Sequence, residues 1–299
     1  MFVDRKKVHY PLKMLCRVMS VSISGYYLWR KRLTKPPSLK RRRLAVLIRN
    51  CYFENRRRYG SRRIKAALQK SGVEVGRAAV RRLLSEQNLK AIQPKRFKPQ
   101  TTDSKGTVAS PNLLAQIKVE ERGIGKIIVG DITYVPLRNG KWCYLAVWQD
   151  KVTRRIIGWS LNDSMTAELI ISALQKAMRK GCIQAGAVVH SDQGSQYASN
   201  AFRCLLRQSG FRQSMSGKGN CYDNSQAESF FSRFKAELIE GGVFENIEQA
   251  RSEVFSYIEG YYNRVRLHSG LGYKSPLEFE AELKSRNGGN KDSFHSTFS

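Results

Sequence analysis

No uninterrupted apolar stretch in the sequence approaches the roughly 18 residues that a membrane-spanning helix needs, and the opening residues, MFVDRKKVHYPLK, lack the apolar segment of a secretion signal. The chain is therefore expected to work in the cytoplasm, with no membrane partner. Cysteine is sparse: Cys16, Cys51, Cys143, Cys182, Cys204 and Cys221 are dispersed over 299 residues, with no C-x-x-C pair and only four histidines. That excludes a zinc-finger spacing and a disulfide framework, leaving free thiols that act as small packing residues. Acids are the other shortage, 24 Asp and Glu against 53 Lys and Arg, for a formal charge of +29. With 41% hydrophobic and 10% aromatic residues the chain has enough apolar material for a sizeable core, so wholesale disorder is excluded and a polyanion is the natural partner.

The positive charge is unevenly spread. Residues 1–110 carry 29 Lys and Arg against 5 acids, whereas residues 111–299 carry 24 against 19. The runs Lys40 to Arg43, Arg56 to Arg58 and Arg62-Arg63 would also suit a solvated face, but the excess is larger than solubility requires, and nucleic acid is the better explanation. Apolar spacing in this third is helical. Leu12, Leu15 and Val18 precede a polar turn, in which Ser22 or Ser24 suits a cap, and Tyr26, Tyr27 and Trp29 follow it. A second helical pair lies between Ser61 and Leu89. Ile64, Ala67 and Leu68 form its first stripe, Ser71-Gly72 the stop, and Val80, Leu83 and Leu84 the next stripe, with Arg77, Arg81 and Arg82 projecting. Two short helices around a glycine occur in any helical bundle as well as in DNA-reading helix-turn-helix motifs; the arginines favour the latter.

From Gly125 the pattern changes to short apolar runs. KIIVGDITYVPL, a turn at Arg138-Asn139-Gly140, KWCYLAVWQD and RRIIGWSL predict three meandering strands. A helix over Met165 to Lys180, the strand AGAVVHSD, a helix from Asn200 to Gln208, the strand FRQSMS and a long helix opening near Asp223 or Asn224 complete an α/β order with a mixed sheet. Trp142, Trp148 and Trp159 fall on strands and are expected in the core rather than as base-stacking platforms.

Three acids stand out. Asp131 interrupts an otherwise buried strand, where a carboxylate is hydrogen-bonded, paired, cation-bound or turned to solvent at a sheet edge. Asp192 sits where the strand ending at Ser191 meets a Gly-containing turn, which fits a functional strand end and ordinary turn chemistry alike. Glu228 falls early in a helix, and Ser225-x-x-Glu228 also matches a capping box. Sixty residues separate the first two acids and 35 the last two.

Five segments bearing these residues, Tyr59 to Ile64 (YGSRRI), Gly130 to Pro136 (GDITYVP), His190 to Tyr197 (HSDQGSQY), Ser214 to Phe231 (SMSGKGNCYDNSQAESFF) and Tyr262 to Pro276 (YNRVRLHSGLGYKSP), together resemble the catalytic subunit of transposases of the IS-three insertion-sequence family, relatives of retroviral integrases. The 35-residue gap matches the family's D, D, E pattern, and Lys235 stands where that family places a Lys or Arg, seven residues after Glu228. One departure is visible: the family usually has a Trp shortly before its first Asp, where this chain has Ile127-Ile128-Val129-Gly130.

The resemblance implies an RNase H-like integrase core, a mixed five-stranded sheet flanked by helices, preceded by a basic all-helical helix-turn-helix region. It divides the chain into a helical segment (1–35), the helix-turn-helix region (36–92), a linker (93–124), the core with C-terminal helices (125–286) and a disordered tail (287–299). Asp131, Asp192 and Glu228 would be the catalytic carboxylates and the ligands of two Mg²⁺ or Mn²⁺ ions, which suit in-line phosphoryl chemistry. The implied reaction is water attack at an element end to release a 3′-OH, which then attacks target DNA; in this family one freed end is thought to attack the opposite end first, forming a circle. Implied partners are double-stranded DNA, further copies of the chain and a DNA-binding protein from an upstream frame, to which the chain is sometimes fused, all on the bacterial nucleoid.

Lys235 is expected on the Glu228 side of the helix, because seven residues bring an α-helix back to nearly the same azimuth, with Phe231, Phe234 and Leu238 forming the buried stripe. It would meet DNA there, unless it is a solvated lysine paired with Glu237 or Glu240. Arg62, Arg63, Arg77, Arg81 and Arg82 are the other candidate DNA contacts. His190 either assists Asp192 or is satisfied by a backbone carbonyl. Two rivals remain at this level. Tyr261 or Tyr262 with Arg264 and His268 invites a tyrosine recombinase forming a covalent phosphotyrosine. A non-catalytic DNA-binding subunit or repressor would use the same basic residues.

Overall fold

In the computed structural model, residues 2–34, 36–93, 110–114, 116–117, 123–217, 225–239 and 242–289 are described. The chain divides into two compact units, Met1–Lys90 and Ala91–Ser299.

The first unit is all helical: α1 (Phe2–Lys6), α2 (Leu12–Val18), α3 (Ile23–Thr34), α4 (Leu39–Glu54), α5 (Ser61–Lys70) and α6 (Arg77–Glu86). Ser22 supplies the cap expected before α3, its hydroxyl accepting from the Gly25 N–H at 2.9 Å. Ser38 caps the basic helix α4 by accepting from Arg41 N–H. In α5 and α6 the apolar stripes do what their spacing predicts: Ile64 and Leu68, then Val80, Leu83 and Leu84, are buried, and the turn between them passes through Gly72 at φ +75°.

The second unit is built on a five-stranded sheet, β1 (Ile127–Pro136), β2 (Trp142–Asp150), β3 (Ile156–Asn162), β4 (Val188–Ser191) and β5 (Arg212–Met215), in the order β3-β2-β1-β4-β5. The first three strands run antiparallel; β4 is parallel to both β1 and β5. The β1–β2 turn is the expected one, with Gly140 at φ +76° and the Asn139 side chain accepting from Lys141 N–H. Helices α7 (Ala167–Arg179) and α8 (Asn200–Gln208) pack with Ile128, Ala146 and Trp148 on one face. On the other, Val135, Cys143, Leu145 and Val147 meet α9 (Ser225–Phe234) and α10 (Ile247–Phe255), and α11 (Pro276–Gly289) follows. The sequence order thus becomes a sheet buried on both faces.

Two boundaries differ from expectation. Residues 110–114, assigned to the linker, are docked on the sheet: Leu113 N–H donates to Ser214 Oγ, Met215 N–H to Pro111 O, and Leu114 is buried with Ile127 and Val188, because the strand edge needs apolar cover. Helix α11 runs to Gly289, past the expected start of the tail, and residues 290–299 lie outside the described residues. So do Asp223 and Asn224, where the long helix was expected to open, and Cys221. Of the other five cysteines, all free, Cys16, Cys51 and Cys143 are buried and Cys204 is exposed.

Trp142 overturns one expectation. Trp148 is core, but Trp142 lies at the turn end of the β1–β2 hairpin, opposite Pro136, 51% exposed, beside Tyr134. Trp148 also accounts for the missing tryptophan before Asp131. It is the cross-strand partner of Gly130, and its ring carbons lie 2.3–2.7 Å from where a Gly130 Cβ would stand, so the neighbouring strand supplies the aromatic bulk.

Candidate active site

Register brings the two aspartates together. Strand β1 is parallel to β4 through Ile127–Val188, Ile128–Val189 and Val129–His190, and two residues further along each chain stand Asp131, midway along β1, and Asp192, just past the end of β4. Asp131 keeps part of its surface exposed while its carboxyl group is deep, with Oδ1 accepting from Ile132 N–H at 2.8 Å. Its pKa is pushed up to about 8, first by burial and then by the negative charge of Asp192, with a smaller push from Glu228; the Ile132 N–H and the Lys235 charge act against the rise. Asp192 follows β4 directly. Its Oδ1 accepts from Gly194 N–H at 3.0 Å, while Gln193 ties the turn to Ser216 O at the end of β5. Burial raises its pKa, against the Gly194 hydrogen bond.

Glu228 reaches the same place from α9. That helix buries Ala227, Phe230, Phe231 and Phe234, which leaves Glu228 on the exposed side. Burial of its carboxyl group and the charge of Asp192 raise its pKa. The residues immediately preceding Ser225 lie outside the described residues, and among the described ones Glu228 makes no capping hydrogen bond. Lys235 is exposed at the point where α9 widens into π-type turns over Lys235–Ile239. The azimuth argument therefore holds only to Phe234, yet the lysine still lies close enough for its charge to lower the Asp131 pKa. Glu237, the partner considered for it, is buried and gives its carboxylate to Arg266 at 2.8 Å and to Tyr257 at 2.9 Å. Glu240 lies outside the described residues.

A third buried aspartate shows what a structural acid looks like here. Asp150, at the end of β2, accepts from the N–H groups of Gly125, Val152 and Thr153 and from the Thr153 hydroxyl. Among the described residues Asp131 and Asp192 have one backbone donor each. Crowded carboxylates that hold a proton against mutual repulsion, with oxygen as the only donor atom, fit a hard divalent cation. Among the described residues no three His, Cys, Asp or Glu side chains stand in metal-holding geometry.

The remaining sequence candidates fall into three groups. In the helical unit, Arg62, Arg77, Arg81 and Arg82 are exposed, whereas Arg63 lies half-buried over the Tyr59 ring with Nη1 3.4 Å from Arg58 O. His190 is buried and shares a 2.8 Å hydrogen bond with the Ser214 hydroxyl. Tyr262, the recombinase candidate, is buried against Phe230 and His268, takes a hydrogen bond from Gln149 and has its pKa pushed up to about 12 by burial. A phenol so placed is no nucleophile for a phosphodiester. Sequence reading missed the buried Glu237–Arg266 pair that ties the end of α9 to the segment after α10; acid and base stand 29 residues apart, with no local pattern to link them.

Family comparisons agree with this geometry. An HTH-like domain profile matches residues 39–97, and integrase core domain profiles match residues 122–221 and 209–276. The chain is 37% identical to the transposase InsF for insertion sequence IS3A of Escherichia coli K12, over 93% of this chain and 97% of that one. The chain belongs to the IS3 family of insertion-sequence transposases. Other members give the same coverage pattern: the transposase of insertion sequence element IS904 from Lactococcus lactis is 40% identical over 81% of this chain and 95% of its own. A 31 kDa protein of insertion element IS600 from Shigella sonnei is 38% identical over 89% and 97%. The sheet of the second unit is thus the RNase H-like integrase core of an IS3-family transposase.

Proposed function

We propose that this IS3-family transposase cuts DNA at the ends of its insertion sequence and joins the freed ends to target DNA, with Asp131, Asp192 and Glu228 as its catalytic carboxylates. The observation that carries the reading is the convergence of two strand-borne aspartates and a helical glutamate whose charges act on one another, each aspartate with a single backbone donor. These three would hold Mg²⁺ or Mn²⁺, two ions being expected. A divalent cation bound there supplies positive charge for the entering and leaving oxygens of an in-line displacement at phosphorus. The chain's own part is to hold Asp131 within β1 and Asp192 just past β4, and to bring in Glu228 on α9. In the cation-free state Asp131 keeps a proton, so loading the site releases it.

The exposed Arg62, Arg77, Arg81 and Arg82 of α5 and α6, together with Arg63, bind the element ends, and Lys235 contacts DNA beside the carboxylates. Further copies of the chain assemble on the DNA, and an upstream-frame DNA-binding protein acts with it or fused to it, in the bacterial cytoplasm at the nucleoid. No helix among the described residues is long and apolar enough to cross a membrane. A silent, repressor-like role is disfavoured because the sheet unit keeps acids that serve no structural purpose, in contrast to Asp150. The test is incubation of the full chain with DNA carrying both terminal repeats: cleavage exposing a 3′-OH, followed by joining, is expected with Mg²⁺ and lost with chelator. Tight binding without cleavage in Mg²⁺ or Mn²⁺ would favour the repressor.

A further inference from the structure

Tyr197 ends the turn that Asp192 begins, its backbone N–H donating to Gly194 O at 3.0 Å. The side chain is 2% exposed, with its ring edge-on to Trp148 at 5.8 Å and to Phe202 at 5.9 Å. Trp148 in turn fills the space against Gly130, the residue before Asp131. The phenol is thereby wedged among the groups that support both aspartate-bearing strands, and its hydroxyl has no hydrogen-bond partner among the described residues.

For packing alone that oxygen is a liability. A buried hydroxyl without a partner costs free energy, and phenylalanine would fill the same space without it. The charges of Asp192 and Asp131 both act on the phenol and, with burial, hold it protonated, so it is available only as a neutral donor or acceptor. Asp192 accepts from Gly194 through Oδ1, and no other donor to its carboxylate is found among the described residues.

We propose, on the reading that Asp131 and Asp192 hold a divalent cation, that Tyr197 is a positioning residue of that site, its hydroxyl donating to the Asp192 carboxylate once the cation draws this side chain into place. Outer hydrogen bonds of this kind fix the orientation of a ligating carboxylate and are worth roughly tenfold to a hundredfold in metal affinity. The cation-free protein leaves the hydroxyl unsatisfied, so its contribution belongs to the loaded state alone.

The experiment is Tyr197→Phe in the full chain, followed by thermal unfolding in the absence of DNA while Mn²⁺ alone is titrated in. Without cation the variant is expected to melt at or slightly above the parent temperature. It should need roughly ten times more Mn²⁺ to reach half of its cation-induced stabilisation. Cleavage should fall at low Mn²⁺ and recover as the ion is raised. An unchanged Mn²⁺ midpoint would overturn the proposal, as would a marked loss of stability without cation, which would mean that the hydroxyl is already bonded in the empty site. Asp131→Asn is the control and should abolish the Mn²⁺ effect. If the parent itself shows no stabilisation by Mn²⁺, the metal reading of the two aspartates fails, and this inference with it.

Discussion

In the helical unit Arg62, Arg77, Arg81 and Arg82 stand exposed on short helices whose apolar stripes need only Ile64, Leu68, Val80, Leu83 and Leu84. In the sheet unit the telling charges are few and negative, and the two aspartates are sunk midway along β1 and just past the end of β4. One region presents many weakly placed cations to a long polyanion; the other holds three acids against their mutual repulsion for a compact ligand. Binding and chemistry should accordingly be separable by mutation.

The largest effect expected is on chemistry alone. Asp131→Asn or Asp192→Asn should lower cleavage of element-end DNA at least about a thousandfold, the equivalent of roughly 4 kcal/mol of transition-state stabilisation, with DNA affinity nearly unchanged. Parallel cleavage and binding assays check this, and a matching loss of affinity would erase the separation. Next comes binding alone. Charge reversal at Arg81 and Arg82 should weaken DNA binding by tenfold or more and reduce the salt slope by about 2, because two phosphate contacts are lost. The same change at Lys40 and Arg41 should do less, since Arg41 is engaged with Glu86 at 2.5 Å. Equal losses at both pairs would reduce the helical unit to a diffuse polycation.

Lys235→Ala should fall between the two regions, weakening capture of cognate ends several-fold and removing about one phosphate from the salt slope, with partial rescue by arginine. Unaltered cleavage and joining at moderate salt would make Lys235 a surface residue. The smallest effect is on stability. Because the folded pKa of Asp131 lies above its ordinary value, the folded chain binds the extra proton, and cation-free stability should decline as pH rises from about 4 to about 8. Asp192 and Glu228 act in the same direction. Unfolding measured across that range, with and without Mn²⁺, should show the decline offset by the ion at the upper end.

Much of this was legible in the sequence where local rules dominate. Alternating and continuous apolar runs, the Asn139-Gly140 turn and the stripe at Ile64 and Leu68 fix elements through interactions a few residues long. Asp131 was readable because it interrupts a strand pattern, and Asp192 because it stands where a strand meets a turn. What escaped depended on long-range partners. Trp142 carries the same strand signal as Trp148, but it lies at the turn end of the hairpin, half exposed beside Tyr134. The Ser110 to Leu114 stretch reads as linker until Ser214 and Met215 provide its hydrogen bonds. Glu228 was ambiguous for a different reason: four residues suffice to spell a capping box, whereas its nearness to Asp131 and Asp192 comes only with the fold.

Glu228 is therefore the most direct test, because a capping glutamate and a catalytic one respond oppositely. In Glu228→Gln, cleavage of element-end DNA with Mg²⁺ and the melting temperature should be measured on the same preparation. Cleavage lost at least about a thousandfold with melting unchanged is the expected result. Near-normal cleavage with a lowered melting temperature would contradict the assignment of Glu228 as the third catalytic carboxylate.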